Sequence, residues 1–218
     1  MIALEIAAIA ILFFLFAYSH TWLASSKIKK NIAEKIGGKI AFYRLFYNLS
    51  SLLFFSVFYF LSPKPDVVVY DLHYPYDIIT FILQVLSLIG LIWSAKSIDM
   101  MEFLGVKQIE RYLNSSYNID DLDEQQALKI EGAFKFVRHP IYLFSILFLG
   151  LRPTMSLFYL VMFICIIIYF YAGSIYEERK LIEKFGNEYR EYQNRVARMI
   201  PGGKVRGTKY DLRIKTKK

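Results

Sequence analysis

The sequence predicts an all-α polytopic membrane protein with about five transmembrane helices, the last two forming a helical hairpin, and an amphipathic C-terminal helix. Three observations predict it. Hydrophobic residues make up 56% of the 218 positions, and mean hydropathy is +0.34. The apolar residues gather in blocks of membrane length instead of recurring at strand or helix period. The basic residues, which set a net charge of +8, crowd beside those blocks, where anionic lipid headgroups attract them. No aromatic-and-basic recognition module accompanies the charge, so nucleic acid is not the expected partner.

The first block, residues 2–23, is long enough to cross about 30 Å of hydrocarbon at about 1.5 Å per residue. It has no basic n-region and no small-residue cleavage site, and so reads as a retained helix. The second block, residues 42–61, ends at Ser62-Pro63-Lys64-Pro65, and the third covers residues 76–98. A polar stretch, 99–138, follows. Blocks four (141–151) and five (155–176) are parted only by Arg152-Pro153-Thr154, a turn that makes them a helical pair entering and returning.

Lys27, Lys29, Lys30, Lys35, Lys39 and Arg44 fill the first connector, whereas the second holds Lys64 beside Asp66, Asp71 and Asp77. The positive-inside rule then places the first and third connectors and the C-terminal tail in the cytoplasm, and Met1 on the other side. From Glu177 to Val196, Leu181, Ile182, Phe185, Tyr189 and Tyr192 recur at helical spacing among charges, the pattern of an interfacial helix. Residues 1–203 read as one domain and 204–218 as a basic, mobile tail. Nothing in the sequence sets an oligomeric state.

Cys165 is the single cysteine and lies inside block five, which excludes an intrachain disulfide and a cysteine metal cluster. His20, His73 and His139 stand in separate regions with no ligand spacing, so no metal site is expected. His20, within an apolar block, reads as a hydrogen-bonded core histidine.

Two polar clusters abut the hairpin. Gly132, Phe134, Lys135, Arg138, His139, Pro140 and Tyr142 precede block four; Tyr176, Glu177, Glu178 and Arg179 close block five. The start of one helix and the end of its antiparallel partner lie side by side, which makes His139 and Glu177 neighbours. Taken singly, Arg138 and His139 read as positive-inside anchors, and Glu177-Glu178 as the solvated start of the tail helix. Cations are nevertheless unfavourable at a helix N-terminus, and a bound anion would relieve that conflict.

Together, G-A-F-K-F-V-R-H-P-I-Y (Gly132 to Tyr142), E-E-R-K-L (Glu177 to Leu181), F-G-N-E-Y-R-E-Y-Q-N-R-V (Phe185 to Val196) and Ile200-Pro201 resemble the isoprenylcysteine carboxyl methyltransferase superfamily of integral membrane methyltransferases. Upstream, H-T-W-L-A-S, F-Y-R-L-F-Y-N and F-L-G-V-K-Q look like its bacterial branch of NnrU-like proteins and methanethiol S-methyltransferases. The resemblance implies S-adenosylmethionine bound at the cytoplasmic end of the hairpin and an acceptor, a small thiol or another lipophilic molecule, arriving from the lipid bilayer. By position, Gln126, Ala127, Leu128, Lys129, Gly132, Phe134, His139, Pro140, Ile141, Tyr142 and Glu177 would bind that cofactor. Arg138 or Lys129 would pair with its carboxylate, and Glu177 or Glu178 with its ammonium and ribose hydroxyls. His139, Glu177 or Glu178 would serve as base for a thiol. Two departures stand out. Phe134 replaces a usual tyrosine, and Gly173 stands where the carboxyl methyltransferases place an arginine, which argues against a prenylcysteine carboxylate. Two other readings share the resemblance: a non-enzymatic NnrU-like accessory protein, and a nicotinamide-dependent sterol-reductase-like enzyme.

Overall fold

A computed structural model describes residues 1–119, 122, 128 and 130–202. Gln126, Ala127, Lys129 and the basic tail 204–218 lie outside the described residues.

The architecture is helical apart from one short two-stranded ladder. α1 (Ile2–Ala24) is followed by the short basic helix α2 (Ser26–Ile36), capped by the Ser25 hydroxyl, and a 3-10 segment, Gly37–Phe42, leads into α3 (Tyr43–Leu61). β1 (Val68–Asp71) then precedes α4 (Tyr76–Ala95). The polar stretch folds into α5 (Met100–Leu104), α6 (Val106–Leu113) and the 3-10 turn Gly132–Lys135. The hairpin is α7 (Pro140–Gly150), β2 (Thr154–Ser156) and α8 (Leu157–Phe185), and α9 (Asn187–Arg195) is the last element among the described residues. Four helical stretches are long and apolar enough to cross a membrane: α1, Ser26–Leu61 (which ends in α3), α4 and α8; α7 is a shorter apolar helix.

A single aromatic-rich core joins α1, α3 and α8. Ile9 and Phe13 pack on Phe58, Phe158, Met162 and Ile166, and the Phe13 and Phe58 rings meet edge to face at 5.4 Å. Edge-to-face contact sets the positive ring edge on the negative face, a gain beyond the area buried. α4 packs instead on α7. Gly90 makes that contact possible, since a Cβ there would fall 2.4 Å from the Phe144 ring. α7 stops beside Phe163, where Gly150 again leaves no room for a side chain, and residues 151–156 connect it to α8.

At that far end, β1 and β2 pair antiparallel with Val68 opposite Ser156 and Asp71 opposite Thr154. This ladder ties the second connector to the tip of the hairpin. At the opposite end, α5 folds over α3 and α6 over the 3-10 segment Gly37–Phe42. Arg44 and Asn48 both donate to the Phe103 carbonyl, at 2.9 and 3.0 Å, while buried Glu102 takes two bonds of 2.9 Å from Arg111. The tail differs in detail from the expected single helix. α8 runs unbroken through Glu177 and Glu178 to Phe185, and the chain turns at Gly186, whose φ of +58° only glycine adopts freely. The tyrosines of α9, Tyr189 and Tyr192, are buried against Val196, with Leu128, Ile130 and Phe185 around them. That apolar face therefore meets protein.

Candidate functional site

The site forms where α7 begins and the apolar part of α8 gives way to charge. Pro140 occupies the first turn of α7, where a missing N–H costs nothing and a fixed φ suits the helix. His139 is thereby the residue before the helix. Its backbone N–H donates to the Arg198 carbonyl at 3.0 Å, and the Arg138 N–H to that of Ala197 at 2.8 Å. The segment after α9 thus runs beside residues 137–139 as a parallel bridge, Val137 opposite Ala197. Tyr192 adds a 2.6 Å bond from its hydroxyl to the Phe134 carbonyl. Motifs spaced more than fifty residues apart are stapled together in this way.

Glu178 is the hub. It is 2% exposed, and its oxygens accept from Arg138 Nε at 2.8 Å, Gln193 Nε2 at 2.9 Å and Arg198 Nη2 at 2.9 Å. His139 Nε2 lies 3.1 Å from the same carboxylate. Burial alone would push this carboxyl up. The bonds from His139, Arg138 and Arg198 overcome that and hold it well below the usual carboxylate range. Arg138 is equally engaged, since its Nη1 donates to the carbonyls of Gln193, at 3.0 Å, and Val196. Its guanidinium is turned into the protein, bracing α9 and the strand-like 196–198 segment.

Glu177 is the opposite case. Its side chain is 50% exposed. It accepts from the Tyr142 hydroxyl at 3.1 Å, and His139 Nδ1 lies 3.4 Å away. His139 thus bridges both acids. Burial disfavours its charged form, but hydrogen bonds to Glu177 and Glu178 and their negative charge prevail, so its pKa is raised. Planar groups stack beside it: His139 on Tyr142 at 5.2 Å and 9°, and Tyr142 on Phe170 at 4.5 Å and 10°. A Cβ on Gly173 would sit 4.0 Å from the Tyr142 hydroxyl, so the glycine leaves this face of α8 open.

Of the residues singled out in the sequence, Arg138, His139, Tyr142, Glu177 and Glu178 come together here. Pro140 is buried beneath them, and Ile141 is half-buried in the first turn of α7. Phe134 contributes its backbone carbonyl. Gly132 has a φ of +56° and approaches Ser97 and Trp93 on the α4 side. Leu128 packs on the α9 tyrosines. Sequence reasoning missed Gln193 and Arg198. Gln193 is carried by the F-G-N-E-Y-R-E-Y-Q motif, and Arg198 stands just before Ile200-Pro201, so proximity to those motifs was the available signal. Among the described residues no group of three or more metal-ligating side chains occurs.

The comparisons with known proteins point to one activity name. Methanethiol S-methyltransferase 1 of Bradyrhizobium diazoefficiens is 30% identical over 190 residues, 86% of this chain and 64% of its own length. Methanethiol S-methyltransferase of Pseudomonas deceptionensis is 27% identical over 190 residues, 86% of this chain and 69% of its own. The protein of that name from Pseudomonas sp. (strain GM41(2012)) is 27% identical over 200 residues, 88% and 72% of the two chains. No family model matches the chain, and no solved structure does. The chain is thus related over most of its length to proteins named methanethiol S-methyltransferase, as its upstream motifs indicated, and it spans just under two thirds of the first of them.

Proposed function

We propose that the chain is a membrane-embedded methyltransferase that moves a methyl group from S-adenosylmethionine to a small thiol. The observation that carries this reading is the meeting of His139, Tyr142 and Glu177 at one end of the α7–α8 hairpin, in a chain related to named thiol methyltransferases.

The side chains present suit such a donor. Glu177 is exposed enough to accept from an ammonium or from ribose hydroxyls, and the bond from Tyr142 holds it in place. The stacked faces of His139, Tyr142 and Phe170 suit an adenine ring or a sulfonium cation. Arg138 is consumed by Glu178 and two carbonyls, so a donor carboxylate would turn to Arg198, whose side chain is 32% exposed, or to Lys129. S-adenosylmethionine supplies an electrophilic methyl on a positively charged sulfur. The protein's task is alignment of the incoming sulfur and exclusion of water. The small acceptor follows from Gly173, which adds no charge beside Tyr142. In this reading the site faces the cytoplasm, because the basic first connector lies at the same end.

The test is direct. Purified full-length chain in detergent is titrated with S-adenosylmethionine and with NADPH, then given methyl-labelled donor and methanethiol. Saturable binding of the sulfonium nucleotide and a labelled dimethyl sulfide product are expected. Binding of NADPH alone, or of neither, overturns the reading.

A further inference from the structure

Thiol methylation releases a proton, and His139, clasped between two carboxylates, is poorly placed to accept it. A second histidine stands nearby. His20, near the end of α1, has Nδ1 2.8 Å from the Ser51 hydroxyl and Nε2 2.7 Å from the Tyr47 hydroxyl. Ser51 gives its own hydrogen to the Tyr47 carbonyl at 2.7 Å. Its oxygen must therefore accept from His20, which fixes the proton of the neutral imidazole on Nδ1 and leaves the Nε2 lone pair to receive the Tyr47 O–H. A base with a locked tautomer and a phenol aimed at it stands half-buried near the end of α1, against the rings of Phe16 and Tyr169.

The position relative to the donor site is close. Tyr169 and Phe170 are consecutive on α8. Tyr169 meets the His20 ring at 6.1 Å, and its hydroxyl lies 3.4 Å from Thr21, while Phe170 stacks on Tyr142. The Tyr169 and Phe170 rings themselves lie 6.4 Å apart, so aromatic rings run without a gap from His20 to Tyr142. The groups facing His20 are Tyr47, Ser51 and Arg44 of α3, Tyr169 of α8 and Phe16 of its own helix. Among them Arg44 carries a charge, with its guanidinium 5.4 Å over the Tyr47 ring, where it favours negative charge building on the phenol oxygen.

We propose that Tyr47, His20 and Ser51 form the proton path for the acceptor thiol, with the Tyr47 hydroxyl touching the thiol and His20 acting through it as the positioned proton acceptor. This rests on the thiol-methylating reading above. The acceptor sulfur forms the new S–CH3 bond, and the donor's C–S bond breaks with its electron pair passing to the departing thioether sulfur. The thiol proton goes to the Tyr47 oxygen as the Tyr47 proton goes to His20 Nε2. The resulting imidazolium, still donating to Ser51, later yields its proton to water. One sulfonium and one thiol become two thioethers and a proton, so charge and atoms balance.

The experiment uses the full chain in nanodiscs, with ethanethiol as acceptor. Donor affinity is measured by calorimetry, methyl transfer is followed from pH 6 to 10, and nitrogen NMR is recorded on histidine-labelled protein. His20→Gln is expected to bind S-adenosylmethionine within about threefold of wild type. Its kcat/KM should fall about 100-fold at pH 7, in the range of general-base catalysis, and recover as pH nears the thiol's own pKa. Adding ethanethiol without donor should move the His20 Nε2 resonance in wild type and not in Tyr47→Phe. A His20→Gln pH profile matching wild type, or an unmoved resonance in wild type, overturns the proton path while leaving the methyltransferase reading intact. A wild type that transfers no methyl to any thiol overturns both. Should His20→Gln not fold, Ser51→Ala and Tyr47→Phe replace it, with the same loss near neutrality expected and an unchanged profile in both counting against the path.

Discussion

Glu177 and Glu178 are adjacent acids on one helix with opposite fates. Glu178 is 2% exposed and surrounded by four donor side chains, whereas Glu177 is half-exposed and meets two, the Tyr142 hydroxyl at 3.1 Å and His139 Nδ1 at 3.4 Å. A step of about 100° around the helix turns one carboxylate into the interior, where it holds α7, α9 and the 196–198 segment together, and the other towards solvent. Full satisfaction is the mark of a structural acid. An acid with acceptor capacity to spare, held by a neighbour, is the kind that binds a ligand.

The sharpest way to break this contrast is to truncate both. Glu178→Ala strands Arg138 as a buried, unpaired cation, and removing one partner of such a pair costs about 3–5 kcal/mol. Thermal unfolding in detergent should show a large loss of stability, and proteolysis should reach α9 first. Glu177→Ala should leave stability within about 1 kcal/mol and weaken S-adenosylmethionine binding about 10- to 100-fold, read by calorimetry, because a charge-assisted contact is lost. Equal destabilisation by the two substitutions would erase the distinction.

The pH dependence separates the same groups. The carboxyl of Glu178 is depressed in the folded state, so its contribution is fully present above the unfolded carboxylate value of about 4.3 and is lost as pH falls through the folded value. His139 is raised, so its contribution is fully present below about 6.5 and is lost as pH climbs through its folded value. The cluster is therefore strongest between about pH 4.5 and 6.5. Melting temperatures across pH 3.5 to 9 should fall on both sides of that window. His139→Asn should flatten the alkaline side and shrink the acid-side loss only in part, because Arg138 and Arg198 still hold the Glu178 carboxyl down.

How far the sequence reached follows the same division. The predicted spans 2–23, 42–61, 76–98 and 141–151 lie within a few residues of α1, α3, α4 and α7, while 155–176 matches the start of α8 and stops nine residues short of its end; an apolar block with charged ends carries its own limits. The hairpin, and the meeting of His139 with Glu177, followed from chain direction alone. Pairings between distant polar groups did not. The three residues of β2 are too few to show a strand period. The α8 helix crosses from lipid-facing to charged sequence without a break, since helical backbone is indifferent to that change and Gly186 is the first residue to interrupt it. That Arg138 would be taken up by Glu178 and the Gln193 and Val196 carbonyls depends on the fold of the 196–198 segment, for which no local pattern exists. Arg198 was overlooked for the same reason.

The smallest effect tests whether the structural half of the contrast extends past Glu178 itself. Tyr192, 5% exposed, spends its hydroxyl on the Phe134 carbonyl at 2.6 Å, tying α9 to the turn that leads into Arg138. Phenylalanine at 192 keeps the ring packed on Tyr189 and Val196 and removes one hydrogen bond, leaving that carbonyl short of a donor. The expected cost is about 1 kcal/mol, seen as a modest fall in melting temperature with donor affinity unchanged. If Tyr192→Phe instead weakens donor binding as much as Glu177→Ala while stability holds, then α9 belongs to the binding site, and the line drawn between the two glutamates has to move.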